Sequence, residues 1–310
     1  MNELFSLPVL LGIIYSGIRL ATPYLYAALG ETFAQTSGVY NLGVEGMMLM
    51  GAYSGFYVGM KSGNLWLGLL AAAATGGVMG LVMAIISVTL KAEQGISGIG
   101  LSLFGLGLSS LLFTETLGSA ISINGFPAVR IPILGSIPYI GDVLFNQNVL
   151  VYGAFLLVPV ATWVLNKTTF GLKVRAAGQN PQAADSLGVN VNRIRYTTVI
   201  LGGVLAGIAG ASLSIALIDL FQQNMTNGMG YIAVALVYFG GWQPAGVMGG
   251  ALLFSFVNAL QLWIQVKGVP IPSDVALMMP YVLTIVALAF AVRRTAQPAA
   301  LSKPFERGEN

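Results

Sequence analysis

The sequence predicts an all-α membrane protein with about nine transmembrane helices, eight and ten being the alternatives. Three properties point to this fold class: 56% of the 310 residues are hydrophobic, 8% are charged, and the mean hydropathy is +0.80. A soluble domain carries about 25% charged residues, so this chain cannot cover a water-facing surface. The 40 glycines fit helices that pack closely in lipid, where small residues let backbones approach.

The composition also excludes several kinds of chemistry. The chain has no cysteine and no histidine, which rules out disulfides, thiolate or imidazole metal sites and catalytic triads. It has no phosphate-binding loop of the Gly-x-x-x-x-Gly-Lys-Ser/Thr type, so it cannot hydrolyse nucleotide by itself. We therefore expect no catalytic residue, no bound metal and no cofactor. The net charge of +3 reflects short basic loops and does not indicate binding to nucleic acid.

Apolar runs of about 20 residues can cross the hydrocarbon core, and only helices or closed barrels satisfy their own backbone there. The seventh predicted helix is too short for a full span and is bracketed by Gly228 and Gly230 before it and by Gly240 and Gly241 after it. Short, glycine-interrupted helices are typical of transporters, in which helix ends meet the substrate. The alternative is a re-entrant helix that only packs. The predicted helices span 4–29, 39–59, 65–90, 96–114, 148–165, 196–217, 229–241, 246–266 and 276–292.

Basic residues predict the orientation of this single domain, 1–310. The loop 166–195 and the tail 293–310 are rich in lysine and arginine, so both should be cytoplasmic. An even number of crossings must then separate them. Three long predicted helices and the short seventh one lie between them, so the short segment is expected to cross as well. The polar stretch 115–147 and the N-terminus are expected outside. The glycine-rich stretches 43–52 and 246–255 have a similar texture, which suggests an internal duplication.

Within the loop 166–195, residues 180–188 predict a short capped helix. Asn180 is a typical N-cap, Pro181 suits the first helical position, and Gly188 suits the residue just past the C-terminus. A helix of about two turns on the cytoplasmic face can serve as a docking element. Alternatively, it is a connector that covers the ends of two membrane helices.

An ionised group inside a membrane helix costs about 2.5–3.5 kcal/mol, so a group that persists there usually has a task or a partner. Polar residues inside predicted helices are therefore candidates for the substrate path. Asn41 and Glu45 are four residues apart and would share a helix face, and Arg19 could neutralise Glu45. Asn258 and Gln261 would share a face of the eighth helix. In each case the alternative is a structural one, an ion pair or hydrogen bonds between helices.

Five separated stretches, in order, resemble the permeases of ABC importers for branched-chain amino acids, ribose and nucleosides. They cover most of the chain from about residue 20 to 306, and the last is similar to the shorter permease of simple-sugar and purine-nucleoside systems. Two positions differ from the usual pattern: Ser102 stands where asparagine is common, and Gln179 where glutamate is common. The stretches are Gly30-Glu31 with 37–48, 170–188, 205–211, 240–251 and 298–306.

The resemblance implies a transport subunit of the bacterial plasma (inner) membrane, one that is not itself an enzyme. An extracellular substrate-binding lipoprotein would deliver a nucleoside or sugar. Cytoplasmic ATP-binding subunits would hold ATP and Mg²⁺, and a second, longer permease would complete a heterodimer. The substrate path would include Asn41, Glu45, Ser102, Asn258 and Gln261. The 166–195 loop would be the coupling loop, touching the ATPase through Arg175, Gly178, Asn180, Pro181, Ala184 and Gly188.

Two other classes of function stay open. A stand-alone secondary transporter driven by a proton or sodium gradient could use the same glycine-broken helices and scattered buried carboxylates. Such a transporter has no need of a capped cytoplasmic helix, and this chain has few buried acids for proton coupling. A scaffold subunit without a path of its own is the third possibility, and the polar side chains of Asn41 and Asn258 argue against it.

Overall fold

The computed structural model describes residues 7–132, 134–138, 140–267 and 297–306, together with 272, 275, 278–282, 285, 286 and 289. Helices make up most of these residues, as predicted. In chain order they are α1 (Leu7–Thr36), α2 (Val44–Ser62), α3 (Leu65–Ala84), α4 (Gln94–Thr116), α5 (Ile140–Leu144), α6 (Val149–Lys167), α7 (Thr169–Gln179), α8 (Pro181–Ser186), α9 (Val191–Ala216), α10 (Met229–Phe239) and α11 (Pro244–Val266).

The first eight predicted membrane helices correspond to α1, α2, α3, α4, α6, α9, α10 and α11, whereas about half of the ninth, 276–292, lies outside the described residues. Six described helices are long and apolar enough to span a bilayer, namely α1, α3 with its extension, α4, α6, α9 and α11. The helix α10 has 11 residues and falls short of a span. Neither the count of nine crossings nor the internal duplication is confirmed.

Side chains at the helix starts explain where several helices begin. Asn64, Glu93, Asn148 and Asn190 each precede a helix and accept hydrogen bonds from backbone N–H groups of its first turn. These contacts satisfy donors that have no partner within the helix. At its other end α3 continues as a π-helical turn, Ile85–Thr89.

The helix α9 lies at the centre of the bundle and packs against α1, α2 and α3. In its most apolar stretch 78% of the residues are buried, against 33–50% in the other five candidate spans. Glycines permit this packing: a methyl group at Gly51 of α2 would lie 2.5 Å from the Cα atom of Gly207. Backbone contact of this kind replaces the hydrophobic driving force that lipid does not supply.

The predicted inner and outer loops lie at opposite ends of α6. The outer segment forms a small antiparallel sheet, β1 (Ala128–Arg130) with β2 (Asn146–Asn148), in which Val129 pairs with Gln147. Residues 217–243 connect the two ends. Near the sheet end Leu220 forms a backbone bridge with Ser122, and at the other end the indole of Trp242 reaches Gln35 near the end of α1. This segment therefore runs through the bundle as a non-helical stretch followed by the half-helix α10.

The loop 166–195 contains more structure than the sequence analysis predicted. The short helix after Asn180 is present as α8, but α7 precedes it and was not anticipated. The hydroxyl group of Thr168 accepts a hydrogen bond from Gly171 N and caps α7. The sequence did not predict α7 because the helix contains Gly171 and Gly178, and glycine is a poor helix former. Together α7 and α8 form a compact hairpin against the ends of α1 and α9.

Candidate functional site

The carboxylate of Glu45 lies at the N-terminus of α10. It accepts hydrogen bonds from Thr226 Oγ1 at 2.5 Å, Gly228 N at 2.8 Å and Gly230 N at 2.6 Å. The side chain is buried, and the partial positive charge of a helix N-terminus stabilises an anion. Glu45 therefore fixes the start of the half-helix, a position the sequence could not reveal because its partners lie about 180 residues away.

The interpretation in which Arg19 neutralises Glu45 is wrong. Arg19 Nη2 donates a hydrogen bond to the carbonyl oxygen of Ala216, and the guanidinium lies 5.7 Å from the ring centre of Tyr15. Arg19 is also near Asp219. Burial raises the pKa of the Asp219 carboxyl, and the positive charge of Arg19 opposes that shift. Arg19 of α1 and Glu45 of α2 therefore bind different partners.

The shared helix face predicted for Asn41 and Glu45 is also wrong, because α2 begins only at Val44. Asn41 is fully buried and organises the turn between α1 and α2: its Oδ1 accepts from Gly43 N at 2.8 Å, and its own N–H donates to Glu31 Oε1 at 3.0 Å. Ser102 contributes to the same turn by donating to the carbonyl oxygen of Leu42 at 2.7 Å. Both side chains hold the backbone of this turn in place.

A buried polar network that the sequence analysis did not select joins α1 to the turn between α10 and α11. Gln35 Nε2 donates to Glu31 Oε1 at 3.0 Å, and Gln35 Oε1 accepts from Trp242 Nε1 at 2.8 Å. Glu31 and Gln35 are four residues apart in an apolar helix, so the same spacing argument applied to 41 and 45 could have found them. Trp242 is also buried.

A cavity of about 490 Å³ lies between α1, α9, α10 and α11. Its volume falls in the usual range for small-molecule sites, about 300–1,000 Å³. Among the described residues its polar lining includes no charged side chain. Asn258 and Gln261 both face it, as their predicted common helix face requires, whereas Asn41, Glu45 and Ser102 do not line it. The other polar side chains in the lining are Tyr24, Thr226, Asn227, Gln265 and Tyr281.

Two of the lining residues, Thr226 and Gln261, have polar groups that bear on what the cavity could bind. Thr226 faces the cavity and donates to the buried Glu45 carboxylate, so Glu45 is one hydrogen bond removed from the cavity. Gln261 is 2% exposed, and its Nε2 atom has no hydrogen-bond partner among the described residues. An unpaired buried amide costs about 1–3 kcal/mol, so a hydrogen-bond acceptor at this nitrogen would stabilise the site.

The short helix α8 has the caps that the sequence predicts. Asn180 Oδ1 accepts from Ala183 N at 2.9 Å, Pro181 occupies the first helical position, and Gly188 has φ +84°. At Gly188 no atom approaches a Cβ position within 4 Å, so the requirement for glycine there is conformational. Leu187 beside it is 85% exposed.

The other residues predicted for the coupling loop have different positions. Gly178 packs directly on the backbone of α1, where a methyl group would overlap the carbonyl oxygen of Thr36. Ala184 is buried on the inner side of α8 in a cluster with Ala177 and Phe305. Arg175 lines a second cavity of about 320 Å³ with Gln179 and Trp242. Ala184 and Gly178 thus face the bundle, whereas Gln182, Ala183 and Ser186 of α8 are exposed.

Comparison with known proteins gives a consistent result. The family described as branched-chain amino acid transport system / permease component matches residues 13–288. A Haloferax volcanii ABC transporter permease, TsgC13, for which glucose is the suggested solute, is 40% identical over 96% of this chain and 98% of its own length. The Bacillus subtilis guanosine ABC transporter permease NupQ is 33% identical over 96% of this chain and 97% of its own length.

A second guanosine permease of Bacillus subtilis, NupP, is 28% identical over 89% of this chain and 81% of its own length. No solved structure matches the chain. Six apolar helices and matches to permeases together make this chain a multi-pass membrane protein of transport type. Within the described residues no group of three or more aspartates and glutamates is arranged to hold a metal ion.

Proposed function

Because the chain belongs to the permease family of branched-chain amino acid transport systems, we propose that it lines the path of a neutral nucleoside or simple sugar through the plasma membrane in an ATP-driven importer. The cavity between α1, α9, α10 and α11 is the observation that carries this proposal. Its described polar groups are uncharged amides and hydroxyls, which suit a solute rich in hydroxyl or amide groups.

The energy for transport comes from separate ATP-binding subunits on the cytoplasmic side. ATP and Mg²⁺ bind to those subunits and not to this chain. The exposed outer side of α8, with Leu187 at its end, is the surface that seats in the ATPase, and its caps keep a six-residue helix ordered there. Arg175, Gly178, Asn180, Pro181, Ala184 and Gly188 support this coupling role by shaping or positioning the hairpin.

Two further partners complete the importer. The names of NupQ and NupP give two guanosine permeases in one organism. The match covers 97% of NupQ but 81% of NupP, and this favours a heterodimer of this chain with a longer permease. An extracellular lipoprotein delivers the solute to the end that carries the small sheet. Asn258 and Gln261 meet the solute directly, whereas Glu45, Asn41 and Ser102 shape the surrounding backbone.

Replacing Gln261 tests the cavity as the path. In vesicles holding the complete importer, we expect Gln261→Leu to raise the apparent KM for guanosine or glucose by about three- to tenfold, since a hydrogen bond is worth about 0.5–1.5 kcal/mol. The exposed Gln222 provides the control, because Gln222→Leu makes the same change outside the cavity. Equal kinetics in the two variants would exclude this cavity from the path.

Replacing Gly188 tests the coupling role. We expect Gly188→Val to lower uptake per ATP hydrolysed, because a β-branched residue resists a φ of +84°. Gly188→Asn should keep normal uptake, since asparagine tolerates this conformation.

Uptake that stops with an uncoupler while ATP stays constant would instead identify a gradient-driven transporter and refute the importer.

A further inference from the structure

Residues 297–306, here called the clasp, contact both α7 and the turn that follows α1. Ala300 N donates a hydrogen bond to the carbonyl oxygen of Gly178 in α7 at 2.8 Å. Ser302 N donates to the carbonyl oxygen of Gly38, just past α1, at 3.1 Å. The clasp therefore lies between the α7–α8 hairpin and the turn that leads from α1 to α2.

Arg195, near the start of α9, fixes the clasp to the end of α1. The side chain is 1% exposed, its Nη1 donates to the carbonyl oxygen of Lys303 at 2.9 Å, and its Nε donates to the carbonyl oxygen of Ser37 at 3.2 Å. Burying a guanidinium is costly unless it is hydrogen-bonded, and its planar fork fits two acceptors at once. This pair of bonds sets the spacing between the clasp and α1.

Gly38 lies at the point where these contacts meet. Its φ is +96°, and a methyl group there would lie 2.8 Å from Arg195 Nη2 and 3.1 Å from the carbonyl oxygen of Ala300. Only glycine combines this backbone conformation with this lack of space. The clasp, Arg195 and the end of α1 thus form one close-packed unit.

Phe305 joins the clasp to α8. Its ring is buried in a cluster with Ala177 of α7, Ala184 of α8 and Val191 of α9. A helix of six residues has no stability of its own, so the position of α8 depends on such side-chain contacts. A partner that pushes on α8 therefore also pushes on Phe305 and the clasp.

We infer that the clasp transmits displacement of α8 to the turn between α1 and α2, as a second route beside the direct connection to α9. The contacts continue beyond Gly38. Asn41 in this turn is bonded to Glu31, and Glu45 at the start of α2 holds the first turn of α10 beside the cavity. The inference rests on the proposed docking of α8 in an ATPase.

The test measures solute uptake per ATP hydrolysed by the complete importer in vesicles. We expect Phe305→Ala to lower this ratio about threefold or more, the size of effect found for residues that couple distant sites. The ATPase should stay bound and active. Phe104→Ala is the matched control, because Phe104 is 57% exposed on α4, and it should leave the ratio unchanged.

A second measurement covers the case in which Phe305→Ala fails to insert. The chain has no cysteine, so Ala184→Cys and Phe305→Cys can be joined by a short bifunctional thiol reagent. Before linking, Phe305→Cys should lower uptake per ATP as Phe305→Ala does, because both remove the buried ring. If the clasp moves together with α8, linking restores the ratio. Loss of uptake on linking would show that the two separate during the cycle and would overturn the inference.

The outcomes distinguish the two proposals. A wild-type complex without ATP-driven uptake would refute the proposed function itself. Normal ATP-driven uptake by the wild type, with an unchanged ratio in Phe305→Ala, would refute only the role of the clasp.

Discussion

Glu45 illustrates why a charged residue persists among apolar helices. Its carboxylate is held by one hydroxyl and two backbone N–H groups, and it satisfies donors at a helix start that lipid cannot satisfy. The same arrangement explains why α10 begins at Met229 after Gly228, with no capping side chain of its own. The residue thus stabilises a broken helix beside the cavity.

Glu45→Gln should destabilise the protein although the shapes of the side chains match. An amide NH₂ group would face a backbone N–H of Gly228 or Gly230, leaving a buried donor unpaired at a cost of about 1–3 kcal/mol. Thermal unfolding of the purified protein in detergent should show a lower midpoint. Glu115→Gln, at an exposed carboxylate of α4, is the control and should match the wild type. Identical midpoints for all three proteins would contradict the capping role.

At the scale of elements, close packing of α9 against its neighbours depends on positions without side chains. Gly51 and Gly207 bring the backbones of α2 and α9 together, and Gly76 does the same for α3. The many glycines predict close helix packing in general, but the pairing of these particular positions depends on how the helices cross. The centre of the bundle is therefore closely packed on the side away from the cavity.

Gly51→Ala should disrupt this contact, because the added methyl group lies 2.5 Å from backbone atoms of Gly207 that cannot move aside. Overpacking of this kind costs about 1–3 kcal/mol. Gly100→Ala in α4 adds a methyl group with no atom within 4 Å and should be neutral or slightly stabilising. Yield and unfolding temperature of the two variants provide the measurement, and equal losses would argue against the packing explanation.

At the scale of the whole molecule, the two ends of the bundle differ in secondary structure and in charge. One end carries α7, α8 and the clasp, with basic residues around them, and the other carries the small sheet and the loop after α9. The cavity lies between the end of α9 and the second half of α11, towards the sheet end. A solute arriving at the sheet end would therefore meet the cavity before the polar network of Glu31, Gln35 and Trp242.

Cysteine labelling tests the orientation directly. Leu187 beside α8 and Ser62 at the C-terminal end of α2 are both exposed, and they are expected on opposite sides of the membrane. Because the chain has no cysteine, replacing either one gives a protein with a single cysteine. A membrane-impermeant maleimide should label Ser62→Cys in intact cells and Leu187→Cys only after permeabilisation. The reverse pattern would invert the topology and remove α8 from the reach of a cytoplasmic ATPase.

The accuracy of the sequence predictions follows the range of the interactions involved. The caps of α8 at Asn180 and Gly188 were predicted correctly, because they depend on neighbours within a few residues. The common face of Asn258 and Gln261 was correct for the same reason. The pairing of Arg19 with Glu45 was wrong, since it required knowing which helices meet.

Hydropathy, the shortage of charged residues and local capping signals were enough to establish a mostly helical membrane protein with one short helix between glycines. Those properties arise from transfer free energy and backbone hydrogen bonding, which each segment expresses alone. Only the folded chain decided that Glu45 binds the start of α10, that Gln261 lines a cavity with its amide nitrogen unpaired among the described residues, and that residues 297–306 join α8 to α1. These contacts link residues up to about 260 positions apart, and the packing of the bundle selects them.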